Sequence, residues 1–239
     1  AADSGKGDPV ALVKLGLVEK EAGNAAQAIA RFREALKVAP RNVFAQLELA
    51  LELSRSGNST EALELAKAAS KQEPNDPEVT YVHGRVAYQS GDYAWASSLL
   101  SQAVRQLPNR ADAHLAFAQA QLATGNVDAA IDAAERAGSL FATPEKKRQA
   151  NSLAQTMRYI RNPADAPSSD ALEGSELAKE LVAATRAMAS GDSAAAKSGF
   201  EGILNDYPDQ AQAKLGLARL LAESGEAPDR AYALAGESR

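Results

Sequence analysis

Ala22-Gly23-Asn24-Ala25-Ala26-Gln27-Ala28 is the stretch whose reading decides the fold. Its glycine returns as Gly57, Gly91 and Gly125, 34 residues apart each time, and then as Gly191 and Gly225, again 34 apart. Each comes after a run of helical apolar spacing, such as Leu12, Leu15 and Val18, where a helix end takes a left-handed residue. The next residue is Asn24, Asn58, Asp92 or Asn126, a side chain suited to cap the helix ahead. Gly-Asn or Gly-Asp is thus a helix–turn–helix joint. A fixed period of such joints predicts stacked copies of one supersecondary unit, not one closed core.

The rest of the unit supports this. In the copy running from Pro9 to Asn42, the eighth residue is Gly16, matched by Ala50, Gly84 and Ala118. The twentieth is Ala28, matched by Ala62, Ala96 and Ala130, and the twenty-seventh is Ala35, matched by Ala69, Ala103 and Ala137. Only small residues occupy these positions in the four copies, as expected where two helix axes cross closely. Pro40, Pro74 and Pro108 end the second helix of their units. The fourth unit has Ala142 there instead, with Pro144 two residues later.

Composition narrows the function. Apolar residues make up 45% of the 239 but aromatics only 5%, so the core is built from alanine and leucine, which suits packed helices. A net charge of −5 lacks the basic footprint of a nucleic-acid binder. There is no cysteine, hence no disulfide or thiolate chemistry, and no apolar run long enough to span a bilayer. The chain begins Ala1-Ala2-Asp3, which fits a mature chain after signal-peptide removal or an arbitrary boundary.

These positions resemble the tetratricopeptide repeat, a 34-residue antiparallel helix pair with small residues at its eighth and twentieth places and proline at its thirty-second. The resemblance covers residues 9–144, although the family's aromatic fourth residue is replaced by Leu12, Gln46, Thr80 and His114. It implies an all-α fold: a right-handed α-solenoid of antiparallel helix pairs, about six units long. It also implies a concave groove lined by the first helix of each unit. Mapped onto this chain, the groove carries Val13, Leu17, Lys20, Leu47, Leu51, Arg55, Tyr81, Arg85, Tyr88, Leu115, Gln119 and Leu122. Tyr81, Arg85 and Tyr88 share a helix face and are of the types that anchor interfaces. Val13 and Leu17 stand where cochaperone members carry the lysine and asparagine of a carboxylate clamp, so that mode of capture is not expected. A partly apolar groove suits an amphipathic helix or an extended apolar peptide.

The chain divides into four parts: a flexible lead-in over 1–8, four repeats over 9–144, a basic half-repeat helix and acidic loop over 145–176, and about two repeats over 177–239. In the third, Ala150, Leu153, Ala154, Met157 and Ile160 make one amphipathic stripe beside Lys146, Lys147, Arg148, Arg158 and Arg161. Residues 162–175 hold two prolines, three serines and three acidic residues and read as a loop able to pair with that helix. The interval from Gly125 to Gly191 is 66, two short of a double period, so one half-built repeat fills it. No polar end-cap is evident after Arg239, so the natural protein is expected to extend further.

His83 and His114 are the two histidines. Without cysteine or H-x-x-x-H spacing they read as core residues, not metal ligands, and no cofactor is expected. No Ser/His/Asp set, phosphate-cradling loop or dinucleotide fingerprint is present, so the chain is read as non-catalytic. The expected function is a protein-interaction scaffold that captures a protein or peptide segment, set by the resemblance in a bacterial envelope or secretion assembly such as a periplasmic one. The rivals are a self-assembling structural protein, hence a homo-oligomer, and the regulatory region of a longer enzyme. Trp95, the sole tryptophan, either packs between units or serves self-association.

Overall fold

Residues 7–167, 172–173 and 175–238 are described by a computed structural model. Thirteen α-helices and one 3₁₀ turn account for their regular structure. They fall into two compact units, Ala1–Gln106 and Leu107–Arg239. The first holds α1 (Pro9–Glu21), α2 (Ala25–Val38), α3 (Val43–Arg55), α4 (Ser59–Gln72), α5 (Pro77–Gln89) and α6 (Tyr93–Gln106). The second holds α7 (Ala111–Ala123), α8 (Val127–Leu140), α9 (Pro144–Arg161), the 3₁₀ turn Pro163–Asp165, α10 (Glu176–Ala189), α11 (Ser193–Asp206), α12 (Ala211–Ser224) and α13 (Pro228–Glu237). The compact units divide between the third and fourth repeats, whereas the period breaks after the fourth. The fourth repeat belongs to the second unit because α8 packs extensively against α9.

All six joint glycines adopt positive φ, between 69° and 88°. The residue behind each of the first five closes the helix just ended, and only some of these residues also cap the next. The backbone N–H makes the closure, as in Asn24 N–H to Glu19 O (2.8 Å) and Asp92 N–H to Ala87 O (3.1 Å). Asp92 accepts from Trp95 N–H and Asp192 from Ala195 N–H, at 3.1 and 3.0 Å, and Asn58 more loosely from Glu61 N–H at 3.5 Å. Asn24 and Asn126 do not cap, contrary to the expectation. The Asn24 amide donates to the Glu19 carboxylate at 2.8 Å, a charge-assisted bond back to the helix just ended. The last joint also departs: Ala227 takes φ 44° and α13 starts one residue late.

The small positions admit large neighbours. The Phe32 ring is fully buried over Gly16, where an added Cβ would lie 2.5 Å from the ring, and Leu100 lies over Gly84 in the same way. The lost aromatic of the fourth position has a polar substitute in two copies. Gln46 donates to Pro40 O at 2.8 Å and His114 Nε2 meets Pro108 O at 3.0 Å, each tying a first helix to the proline before it. His114 is therefore half-buried and anchored to backbone, not a core residue as its sequence position suggests.

Two segments differ from the sequence reading in function. Residues 1–6 of the expected lead-in lie outside the described residues, but Asp8 is not flexible lead-in: it caps α1 by accepting from Val10 N–H at 3.0 Å. Of the expected acidic loop, 168–171 and 174 lie outside the described residues. The basic helix α9 starts at Pro144 and turns its charges elsewhere. Lys146 pairs with Asp112, Arg158 with Glu135 and Arg161 with Asp128, all on α7 and α8. The loop's Glu173 accepts instead from Ser152 Oγ at 2.6 Å. Its apolar stripe (Ala150, Leu153, Ala154, Met157, Ile160) is wholly buried. Where a second helix should come next, Arg186 of α10 gathers the loop carbonyls of Pro163, Ala166 and Pro167 at 3.3, 2.8 and 2.6 Å.

The second unit also closes on itself. Gln210 is fully buried at the start of α12, accepting from Ala213 N–H at 2.6 Å and donating to Leu122 O at 3.3 Å. Gln212 donates to Gly125 O at 2.6 Å. The joint between α7 and α8 is thus clasped by a segment far downstream in the chain.

Candidate partner-binding surface

The twelve groove residues separate into a buried tier and an accessible one. Val13, Leu47, Leu51, Tyr81 and Leu122 are buried. Leu17, Lys20, Arg85, Tyr88, Leu115 and Gln119 are half-buried, and Arg55 is exposed. The division arises from geometry: within a first helix, residues that face the adjoining first helix are covered before those at the crest.

In the first unit most charges in the accessible tier have partners. Lys20 pairs with Glu48 at 2.6 Å, linking α1 to α3. Arg55 pairs at 2.5 Å with Glu52, whose carboxylate is buried. The guanidinium of Arg85 lies 5.6 Å from the centre of the Tyr81 ring and 3.4 Å from its hydroxyl. Tyr88 turns away from that pair and meets Tyr93 edge-on at 5.2 Å across the α5–α6 joint. Tyr81 and Arg85 therefore act together while Tyr88 stiffens the joint.

The second unit supplies a more distinct concavity. Leu115 and Gln119 line a cleft of about 370 Å³ whose other walls are Glu145, Arg148, Gln149, Ser152 and Leu153 of α9, closed by Glu173 and Ser175. Leu153 floors it, and Arg148 and Glu145 stand exposed at the rim. The α9 wall was not identified as part of a site from sequence. The signal that could have found it is the broken period, because a missing second helix leaves an uncovered first helix beside its neighbour.

His83 is buried with Nδ1 3.0 Å from Ser70 Oγ, and its Nε2 has no partner among the described residues. Burial, with Lys67 adding to it, holds its pKa below the usual histidine value. Trp95 meets it edge-on at 6.2 Å while remaining half exposed. No group of three or more His, Asp or Glu side chains is placed to hold a metal ion among the described residues. Nor is any described helix long and apolar enough to cross a membrane.

This combination of period, joint chemistry and stacked antiparallel pairs defines a helical-repeat interaction protein. The chain belongs to the tetratricopeptide repeat family: profiles described as tetratricopeptide repeat match residues 20–86 and 181–236, and one described as anaphase-promoting complex, cyclosome, subunit 3 matches residues 55–137. Among solved structures it is similar to a thermophilic repeat protein of Thermus thermophilus (20% identity, 90% of this chain and 100% of that one, TM-score 0.56). It is similar also to Pseudomonas aeruginosa pilF (19%, 90% and 97%, TM-score 0.54) and to PilW, a type IV pilus biogenesis factor (17%, 95% and 90%, TM-score 0.51). At these identities the likeness is one of fold. No curated protein matches the chain in sequence.

Proposed function

We propose that this protein is a non-catalytic scaffold that captures a segment of another protein along its first helices. The observation that carries the reading is the cleft between α7 and α9. Its apolar floor of Leu115 and Leu153, with a charged rim, suits a few side chains of an amphipathic helix or extended peptide. Leu17, Arg85 and Tyr88 offer a second set of contacts of the same kind in the first unit. A prearranged surface of this sort spends little of its binding energy on ordering itself. The setting we infer is a bacterial envelope or secretion assembly, supported by the fold likeness to a pilus biogenesis factor.

The test is affinity capture from native lysate followed by mass spectrometry, with two double variants. Leu115→Glu with Arg148→Glu is expected to abolish capture of the partner at the cleft, and Arg85→Glu with Tyr88→Ala to weaken it through the first unit. Both should retain the helical circular dichroism of the parent. Capture unchanged by both pairs would refute the groove reading.

A further inference from the structure

The break in the period leaves one face of α10 without the cover that its counterparts have. Ala183 and Ala187 hold the repeat positions of Leu49 and Leu53 in α3, His83 and Ala87 in α5, and Leu217 and Leu221 in α12. None of those counterparts is more than 6% exposed. The second helix of the preceding pair packs on each of their helices: α2 on α3, α4 on α5 and α11 on α12. Before α10 stands α9, with no second α-helix between them among the described residues. The loop covers one end of the face, where Arg186 takes the carbonyls of Pro163, Ala166 and Pro167. Beyond that end, Ala183 is exposed and Ala187 half-buried. The opening lies inside the chain, with α9 before it and α12 after it.

A groove of about 380 Å³ remains between α10 and α11, floored by Ala183, Ala187, Gly199 and Gly202, with Glu180 and Asp206 at one end. Gly202 is exposed in the interior of α11, and an added Cβ there would meet nothing within 4 Å. Glycine weakens a helix interior, and no contact inside the chain requires it here. Its missing side chain gives the groove depth, so whatever lies on this floor must supply the bulk. The end of the groove is charged in an unmatched way. At the places of Glu180 and Asp206, the second repeat has Gln46 and Gln72, hydrogen-bonded at 2.8 Å. In the last repeat Lys214 stands at the place of Glu180 and pairs with Glu237 at 3.2 Å. Here two carboxylates share the position. Burial, with Asp206 and Glu176 adding like charge, raises the pKa of Glu180 above the ordinary carboxylate value. Lys179, beside it in sequence, is committed to Glu176 at 2.8 Å. A cation brought in from outside would relieve the repulsion.

We propose that this groove binds an amphipathic α-helix of another protein, with large apolar side chains on its inner face and lysine or arginine at the end that meets Glu180 and Asp206. The incoming helix completes the interrupted repeat, taking the place that α2, α4 and α11 take for their neighbours. The groove shares no residue with the cleft between α7 and α9, and its occupant is independent of the one bound there.

Fluorescence anisotropy of labelled peptides titrated with the 239-residue chain tests this. The probe is a leucine–lysine peptide of about five helical turns in amphipathic order. Its controls replace lysine by glutamate or scramble the order. The leucine–lysine peptide should bind at least about tenfold more tightly than either control. Gly202→Leu fills the groove without changing its charge and should weaken that binding at least about tenfold. Glu180→Lys with Asp206→Lys should turn the preference towards the glutamate peptide. All three positions are exposed, and circular dichroism checks that the fold is kept. Leu115→Glu with Arg148→Glu, which alters the cleft, should bind the probe as the parent does. No binding, equal binding of the lysine and glutamate peptides, or a Gly202→Leu variant that binds like the parent would overturn the proposal. Loss of binding in the cleft variant would also overturn it. So would self-association of the parent that Gly202→Leu abolishes in sedimentation velocity, since the occupant would then be a second copy.

Discussion

Residues 1–106 and residues 107–239 build with the same helix pair and reach different results. In the first unit three pairs succeed one another at an unbroken period, each covering the next, and the joint glycines Gly23, Gly57 and Gly91 have nothing within 4 Å of an added Cβ. In the second unit the period breaks, α9 stands without a second helix, and the α12 start returns to clasp the joint at Gly125. There an added Cβ would lie 2.6 Å from both Ala211 Cβ and its backbone nitrogen. Gly191 and Gly225 in the second unit again meet nothing within 4 Å, so among the joint glycines Gly125 alone answers to a tertiary contact as well as to backbone conformation. The lesson is that a repeat fixes its joints locally, while an interruption is what lets distant elements meet.

The largest effects should be shared by both units, because they come from buried rings seated on glycine, within a pair in the first unit and between successive pairs in the second. Phe32 and Phe200 hold the same repeat position and are fully buried, Phe32 over Gly16 and Phe200 over Gly216. Truncation to alanine should cost about 3–5 kcal/mol for each, read as lost hydrogen-exchange protection in the unit concerned. A much smaller cost for Phe200 would show that the second unit is looser than its burial indicates.

Next comes the glycine comparison. Gly57→Ala meets only left-handed strain and should cost about 1 kcal/mol. Gly125→Ala adds the clash with Ala211 and should cost about 3 kcal/mol, with the α12 start losing protection. Equal losses in urea denaturation would mean the clasp contributes nothing.

The caps sharpen the same contrast. Asn42 caps α3 by accepting from Ala45 N–H at 3.0 Å, and Asn42→Ala should cost about 1 kcal/mol. Gln210 at the matching place also satisfies Leu122 O while fully buried, so Gln210→Ala should cost about 2 kcal/mol. Thermal or urea unfolding of the two variants side by side reads the difference.

The smallest effect is the pH dependence that His83 brings to the first unit. Burial, with Lys67 adding to it, lowers the folded pKa of His83 below the usual histidine value. The unfolded chain therefore takes up a proton first as pH falls through the ordinary histidine range, and stability declines there, being greatest above it. Leu217 holds the corresponding position in the second unit and cannot titrate. His83→Leu should flatten the stability profile between about pH 5 and 7; a persistent slope would place its origin elsewhere.

Much of the fold was legible in the order of residues. The glycine period, the small residues at Ala28 or Ala62, and the terminating prolines are each local requirements, met within one turn of the residue that signals them. The candidate site was legible only in part. Leu115 and Gln119 were located by register, but the cleft they line needs α9, whose basic residues looked like partners for the acidic loop and instead pair with Asp112, Glu135 and Asp128. Five of the twelve mapped residues are buried, since register says which way a side chain points and not what covers it.

The sequence by itself determined the unit: its length, its two helices, its left-handed joint and the narrow faces on which pairs stack. Backbone sterics and helix-end hydrogen bonding act over a few residues, so they are written in neighbouring letters. The tertiary structure alone decided what the interruption does: which charges α9 satisfies, where the cleft opens, and that Gln210 reaches Leu122. Those outcomes depend on contacts between residues far apart in the chain, and no local rule records them.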